Sequence, residues 1–226
     1  MGIEYFDRVY CICMEDRLEK RDRLFSQLKE FYPEAEPKLF NAISTMHLKN
    51  HHIGCALSHR AVIQEAKNEG YARILVFEED CIFHNEFNSI FPSIINELKV
   101  LHWDLFYPGA CIWETREGLP NRIFESAPNS SYLVIPKDCT CTHGIGYNES
   151  IYDTILDQIP NNIDDMMKWI KTHVAIDQWL MYRIQNQGQA KVPKGIYTSY
   201  MSSPRICSQP FLIGDKKQDK PRDFKI

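Results

Sequence analysis

Residues 72–81 read Ala72-Arg73-Ile74-Leu75-Val76-Phe77-Glu78-Glu79-Asp80-Cys81. Four consecutive apolar residues, two of them β-branched, make a strand with no polar side to turn toward water. Such a strand sits inside a sheet covered by helices on both faces, the habit of mainly parallel α/β sheets. It ends on three carboxylates, at the carboxyl end of the strand, where open α/β sheets form their ligand crevice.

The same grammar extends outward from this strand. Residues 9–13 (VYCIC) read as a strand feeding a charged helix over 14–29, in which Leu18, Phe25 and Leu28 recur at helical spacing. Just before the acidic strand, residues 58–69 read as a helix: Leu57, Ala61, Val62 and Ala66 share a stripe, Ser58 is the expected N-cap and Gly70 the expected stop. Pro92 fits the first turn of a further helix through Ile94, Ile95, Leu98 and Leu101, and residues 103–107 (WDLFY) and 132–135 read as strands. Ile151, Ile155 and Leu156 before Pro160 mark a later helix, and residues 176–184 another that ends near Gly188. The expected class is α/β, a Rossmann-like, mainly parallel sheet flanked by helices, in one domain over residues 1–214. Residues 116–129, with Gly118, Pro120 and Pro128, read as an irregular loop over the sheet edge. Residues 215–226 mix charges without apolar periodicity and are expected to form a mobile tail.

The 226 residues are 44% hydrophobic and 25% charged, which excludes a disordered chain, and the net charge of -4 argues against a nucleic-acid partner. No apolar run approaches the roughly 20 residues of a membrane span. The polar start lacks the pattern of a signal peptide, so a cytoplasmic location is expected. Eight cysteines are sparse for a secreted scaffold and read as reduced thiols. The closest pairs, Cys11/Cys13 and Cys139/Cys141, are spaced C-x-C; without two C-x-x-C knuckles, spacing gives no structural zinc.

Within the acidic triplet, residues i and i+2 of an extended chain point the same way, so Glu78 and Asp80 project to one side and Glu79 to the other. Two like charges a few ångströms apart repel unless a cation or donors neutralise them. Oxygen-only ligation suits Mg²⁺ or Mn²⁺, which take remaining ligands from water and substrate phosphates; a solvated strand end is the plainer alternative. The second constellation is Gly54-Cys55-Ala56-Leu57-Ser58-His59. There Gly54 permits close backbone approach, and a helix mouth offers free amides to an anion. An ordinary N-cap beside a partly buried histidine is the alternative.

In combination these segments resemble glycosyltransferase family 25. Residues 52–59 (HIGCALSH) are similar to its G-x-x-G-C-x-x-S-H, with His51 where the first glycine is usual. Residues 74–81 (ILVFEEDC) are similar to its apolar strand and E-D-D, with Glu79 one methylene longer than the usual middle aspartate. Trp103-Asp104-Leu105 resembles its W-D-L, and residues 175–180 (AIDQWL) its late I-D-x-x-L. Ile12-Cys13-Met14 stands where the family usually has I-N-L, and Lys20-Arg21 where it has paired arginines.

The resemblance implies a GT-A fold, a UDP-sugar donor (typically UDP-galactose), a divalent metal such as Mn²⁺ or Mg²⁺, and inverting transfer to a hydroxyl of a glycan, lipooligosaccharide or hydroxylysine-type acceptor. On that basis Asp80 is the expected metal ligand, supported by Glu78, with His143 completing the shell or lining the acceptor side. Arg21, ahead of Arg17 and Lys20, is expected to meet the donor phosphates, and Gly54, Ser58, His59 and Glu79 to contribute to the donor site. An inverting displacement needs a base for the acceptor hydroxyl. Asp177 is the candidate, with Asp164 and Asp165 competing and helix capping as its structural alternative. Trp103, Trp113, Trp169 and Trp179 offer flat faces to a sugar or fill the core. The competing functions are a nucleotidyltransferase, disfavoured because residues 9–23 contain no glycine, and a non-catalytic interaction module.

Overall fold

In a computed structural model, residues 2–112, 124–185, 197–209, 211–213 and 216–218 are described. β1 (Arg8–Cys13) leads through a short turn into α1 (Leu18–Phe31), followed by β2 (Lys38–Asn41) and α2 (His51–Glu69). Then come β3 (Arg73–Glu78), β4 (Ile82–Phe83), α3 (Phe87–Leu98), β5 (Leu105–Tyr107), β6 (Cys111–Ile112), β7 (Glu125–Ser126), β8 (Leu133–Ile135), β9 (Cys139–Thr140) and β10 (Gly144–Asn148). The rest is α4 (Glu149–Gln158), α5 (Ile163–His173), α6 (Ile176–Leu180) running into a π-helical turn, then β11 (Ser199–Ser202), β12 (Cys207–Ser208), β13 (Phe211–Ile213) and β14 (Lys216–Gln218).

The main sheet has eight strands in the order β2-β1-β3-β10-β5-β11-β8-β7. β1 pairs in parallel with β2 and β3, and β5 with β11; β10 and β8 run against their neighbours. The α/β class expected from the acidic strand is therefore observed, with two reversed strands in an otherwise parallel sheet.

Burial on both faces explains why the strands are apolar throughout. Tyr10, Ile12, Ile74 and Val76 pack into a core with α2, α4, α5 and α6, while Val9, Cys11, Leu75 and Phe77 pack into a second core with α1 and α3. This alternation fixes the direction of the next residues along β3: Glu78 follows the Ile74/Val76 face toward α2, and Glu79 follows the Leu75/Phe77 face toward α1.

Local details correct three expectations. α2 begins at His51, capped by Asn50, whose side chain accepts from His52 N at 3.1 Å; Ser58 is a buried residue in mid-helix. The apolar stripe continues back through Ile53, Ala56 and Leu57, which is why the helix starts earlier. Gly70 ends it as expected, at φ +72°. Pro92 lies inside α3, because Phe87 and Phe91 stack at 4.8 Å and carry the helix back into the core. Of the loop expected over 116–129, residues 125–126 form the edge strand β7 and 116–123 lie outside the described residues, as does Trp113. Of the tail expected over 215–226, only 216–218 are described; they pair as β14 with β13. No helix among the described residues is long and apolar enough to cross a membrane.

Candidate functional site

The carboxyl end of β3 and the segment 141–143 entering β10 meet side by side, since Glu78 N donates to His143 O at 3.0 Å and Gly144 pairs with Phe77. α2 covers one side and the β1–α1 turn the other. Asp177 enters the same region from α6.

Glu78 is tied in from two directions. Its Oε1 accepts from Thr142 Oγ1 at 2.5 Å and meets His59 Nε2 at 3.1 Å, with Cys55 Sγ at 3.9 Å. His59, 1% exposed, is held in turn at Nδ1 by Tyr147 Oη at 3.0 Å. Burial would raise the Glu78 carboxyl, but the His59 hydrogen bond and charge, Thr142 and nearby His143 outweigh it and hold Glu78 below the ordinary value. Glu78 is therefore an anion with one oxygen engaged.

Asp80 is the opposite case. Its Oδ1 is buried with no hydrogen-bond partner. Burial and the Glu78 charge push its pKa up to about 6, against the opposing pull of His143 and Lys20. A buried carboxylate oxygen without a donor costs about 1–3 kcal/mol or more. A hard cation at this oxygen would remove that cost, so the residues fit the divalent metal that the resemblance implies.

Glu79 faces away from both. Its Oε2 accepts from Met14 N at 2.8 Å and its Oε1 from Arg17 Nη1 at 2.6 Å, with Lys20 Nζ at 3.8 Å, while Arg23 Nη2 donates to its carbonyl at 3.2 Å. Both carboxylate oxygens are spent on fastening the β1–α1 turn, which presents Arg17 and Lys20 beside the acidic strand end. Arg21 instead donates to neighbouring Asp22 at 3.1 Å.

Gly54 and Ser58 pack α2 against the preceding loop. A Cβ on Gly54 would lie 2.2 Å from Ile43 O, and Gly54 N donates to Thr45 Oγ1 at 3.0 Å. Ser58 Oγ accepts from Ile43 N at 2.8 Å and donates to Gly54 O at 2.7 Å. The glycine permits a close approach of this chain's own backbone, and neither residue presents these groups to a ligand.

Asp177, in the first turn of α6, reaches the same region: its Oδ2 accepts from Cys141 N at 2.8 Å and its Oδ1 from Gln178 N at 2.8 Å. Residues 141 and 142 thus bridge Asp177 to Glu78. The competing Asp164 and Asp165 are exposed at the start of α5, where Asp165 is bound by Asn162 and Lys168. His143 is 1% exposed and close enough for its charge to act on Glu78 and Asp80, while its ring is grouped with Cys111 and Cys141. Trp103 and Trp179 are buried in the two cores; Trp169 packs on His173 with centroids 4.6 Å apart.

Sequence reasoning missed Thr142, Tyr147 and Cys55 as the groups that set the state of Glu78. Thr142 is 64 residues from Glu78, and only the β3–β10 pairing brings them together.

The model of glycosyltransferase family 25 (LPS biosynthesis protein) matches residues 14–115, a span containing α1, α2 and the acidic strand end. The match takes in residues 52–59, 74–81 and 103–105, which carry the resemblance in the motifs, while residues 175–180 lie beyond it. Inactive glycosyltransferase 25 family member 3 of Homo sapiens is 27% identical, covering 46% of this chain and 22% of that protein. Procollagen galactosyltransferase 2 of Homo sapiens is 26% identical, covering 57% of this chain and 24% of that protein. The chain spans about a quarter of the length of these relatives. Among solved structures, a glycosyltransferase involved in the glycosylation of the major capsid of PBCV-1 aligns at a TM-score of 0.39 and 11% identity, covering 74% of this chain and 76% of that one.

Proposed function

We propose that this chain is a metal-dependent inverting glycosyltransferase. In this reading it moves a hexose, galactose first and glucose as the alternative, from a UDP-sugar to a hydroxyl of a glycan, lipooligosaccharide or hydroxylysine-type acceptor. The observation that carries the proposal is the buried, partnerless Asp80 Oδ1 beside an ionised Glu78 at the carboxyl end of a central strand. Asp80, with Glu78 in direct or water-mediated support, would hold Mn²⁺ or Mg²⁺. Bound there, the cation would offset the negative charge that builds on the leaving diphosphate.

The chain's own groups have separable tasks in this reading. Thr142 and His59 keep Glu78 ionised and fixed in direction. Glu79 fastens the turn that brings Arg17 and Lys20, with Arg21 on the next turn, to the rim where donor phosphates would lie. Asp177, anchored through Cys141 N, would accept the proton of the incoming hydroxyl.

The decisive experiment is thermal unfolding with Mn²⁺ and UDP, followed by hydrolysis of a panel of UDP-sugars. A ligand at a hundredfold excess over its dissociation constant stabilises the native state by about 2.7 kcal/mol. A shift that needs both components, with turnover of one UDP-sugar, is the expected result. A second reading, a non-catalytic interaction module, is favoured by the similarity to a relative whose name calls it inactive. Absence of any shift with nucleoside diphosphates would support that reading instead.

A further inference from the structure

A second group of ligand-type side chains lies outside the carboxylate site. One ligand atom each of Cys111, Cys141 and His143 falls within 4.8 Å of the other two. Cys111 comes from β6, while Cys141 and His143 flank Thr142 in the segment entering β10. The His143 ring is 1% exposed, and neither nitrogen has a hydrogen-bond partner. Its polar surroundings are sulfur: the thiols of Cys111 and Cys207 both face the ring, and Cys207 faces Cys81 as well. Thiols are weak hydrogen-bond partners, so a buried imidazole whose neighbours are sulfur and whose nitrogens meet no oxygen or nitrogen partner is poorly satisfied as it stands.

We propose that Cys111, Cys141 and His143 form a site for a soft divalent cation, zinc, held by two thiolates and one imidazole. Thiolate and imidazole donors select zinc over the hard ions that suit Asp80 and Glu78. In a tetrahedral site the ligand atoms stand roughly 3.3–3.8 Å apart, given Zn–S near 2.3 Å and Zn–N near 2.0 Å. The three ligand atoms already lie within 4.8 Å of one another, so a cation draws them in without rearranging the strands. Cys111 and Cys141 bind as thiolates and His143 as the neutral imidazole, so whatever protons the two sulfurs and the ring carry beforehand pass to solvent. Cys207 then has the position of an outer partner that orients the ring. Cys141 has φ +70°, a conformation that non-glycine residues adopt at a cost and that is often found where a side chain must be aimed at a ligand.

The consequence reaches the acidic site without depending on its chemistry. Zinc would tie β6 to residues 141–143, the segment that carries Thr142 to Glu78 and Cys141 N to Asp177. The cation would act as a clasp under the site, leaving Asp80 for the catalytic metal.

The test is metal analysis of the full chain purified under reducing conditions without added metal, combined with cobalt substitution. About one zinc per chain is expected, as is a cobalt form with thiolate charge-transfer bands and intense tetrahedral visible bands. Cys111→Ser and Cys141→Ser should each weaken those thiolate bands by about half or lose the bound metal, and Cys207→Ser should weaken the affinity by about 10- to 100-fold. Asp80→Asn should keep the zinc, so failure of the transferase reading and failure of this one separate cleanly. A wild-type chain that takes up neither zinc nor cobalt overturns the proposal, whether or not the serine variants fold. So does a Cys111–Cys141 disulfide detected by mass in the reduced preparation, or cobalt bands unchanged in a folded Cys141→Ser.

Discussion

Glu78 and Asp80 are two residues apart yet differ in how they are satisfied: Glu78 Oε1 is held by Thr142 and His59, while Asp80 Oδ1 is buried and unpaired. The proposed cation site rests on that asymmetry. Asp80→Asn should abolish the Mn²⁺ and UDP thermal shift, worth about 2.7 kcal/mol at a hundredfold ligand excess, or roughly 5–11 °C for a chain of this size. Without metal the variant should be no less stable than the parent, because a neutral amide removes the repulsion from Glu78. Calorimetry of both proteins with and without metal and nucleotide reads both effects, and a retained shift removes Asp80 from the metal site.

Asp177 is bound by Cys141 N through one oxygen and by Gln178 N through the other. An asparagine keeps one acceptor and loses the basicity, so Asp177→Asn should fold and bind donor normally. Its turnover should fall by about 10² to 10⁴, the usual worth of a general base. Steady-state kinetics with varied donor separate the two quantities; unchanged turnover would pass the base role to another carboxylate.

Glu79 is 7% exposed and satisfies Met14 N as well as Arg17. Glu79→Ala leaves a partly buried backbone donor and a cation without partners, at a cost of about 2–3 kcal/mol and roughly 4–12 °C in Tm. Arg17 has a side chain 45% exposed, so Arg17→Ala should cost under about 1 kcal/mol. Comparable losses in thermal denaturation of the two variants would contradict the assignment of Glu79 as the anchor of this turn.

The same residues show what the sequence could reveal. Ile74 to Phe77 announce a strand buried on both faces, because periodicity and hydrophobicity are local properties, and the carboxylates at its end inherit their place from it. Gly54 illustrates the converse: its lack of a side chain was legible, but the backbone it makes room for, Ile43 O, became visible only once the loop folded over α2. Cys111 and His143 are far apart in the chain, and the spacing rules that detect zinc knuckles have nothing to register when only the β6–β9 pairing brings Cys111 beside residues 141–143. Periodicity places a helix start too late where the stripe crosses a residue of poor propensity, as at Gly54 in α2 and Pro92 in α3.

Tyr10, buried in β1, donates its hydroxyl to Glu65 Oε1 of α2 at 2.5 Å, and Lys38 Nζ of β2 lies 2.9 Å from the same oxygen. Partial burial would raise Glu65, yet the hydrogen bonds from Tyr10 and Lys38 and the charges of Lys38 and Arg8 hold it below its ordinary value of 4.5. A depressed carboxylate contributes stability that is fully present above the unfolded value and is lost as pH falls through the folded one. Tyr10→Phe removes one donor, and because Glu65 is partly exposed the loss should be about 1 kcal/mol at neutral pH. The gap between the two proteins should stay constant from about pH 8 to about pH 6 and narrow in acid as Glu65 protonates. Denaturant unfolding across that range is the measurement. A gap that widens in acid would mean that Tyr10 stabilises the protonated rather than the ionised Glu65.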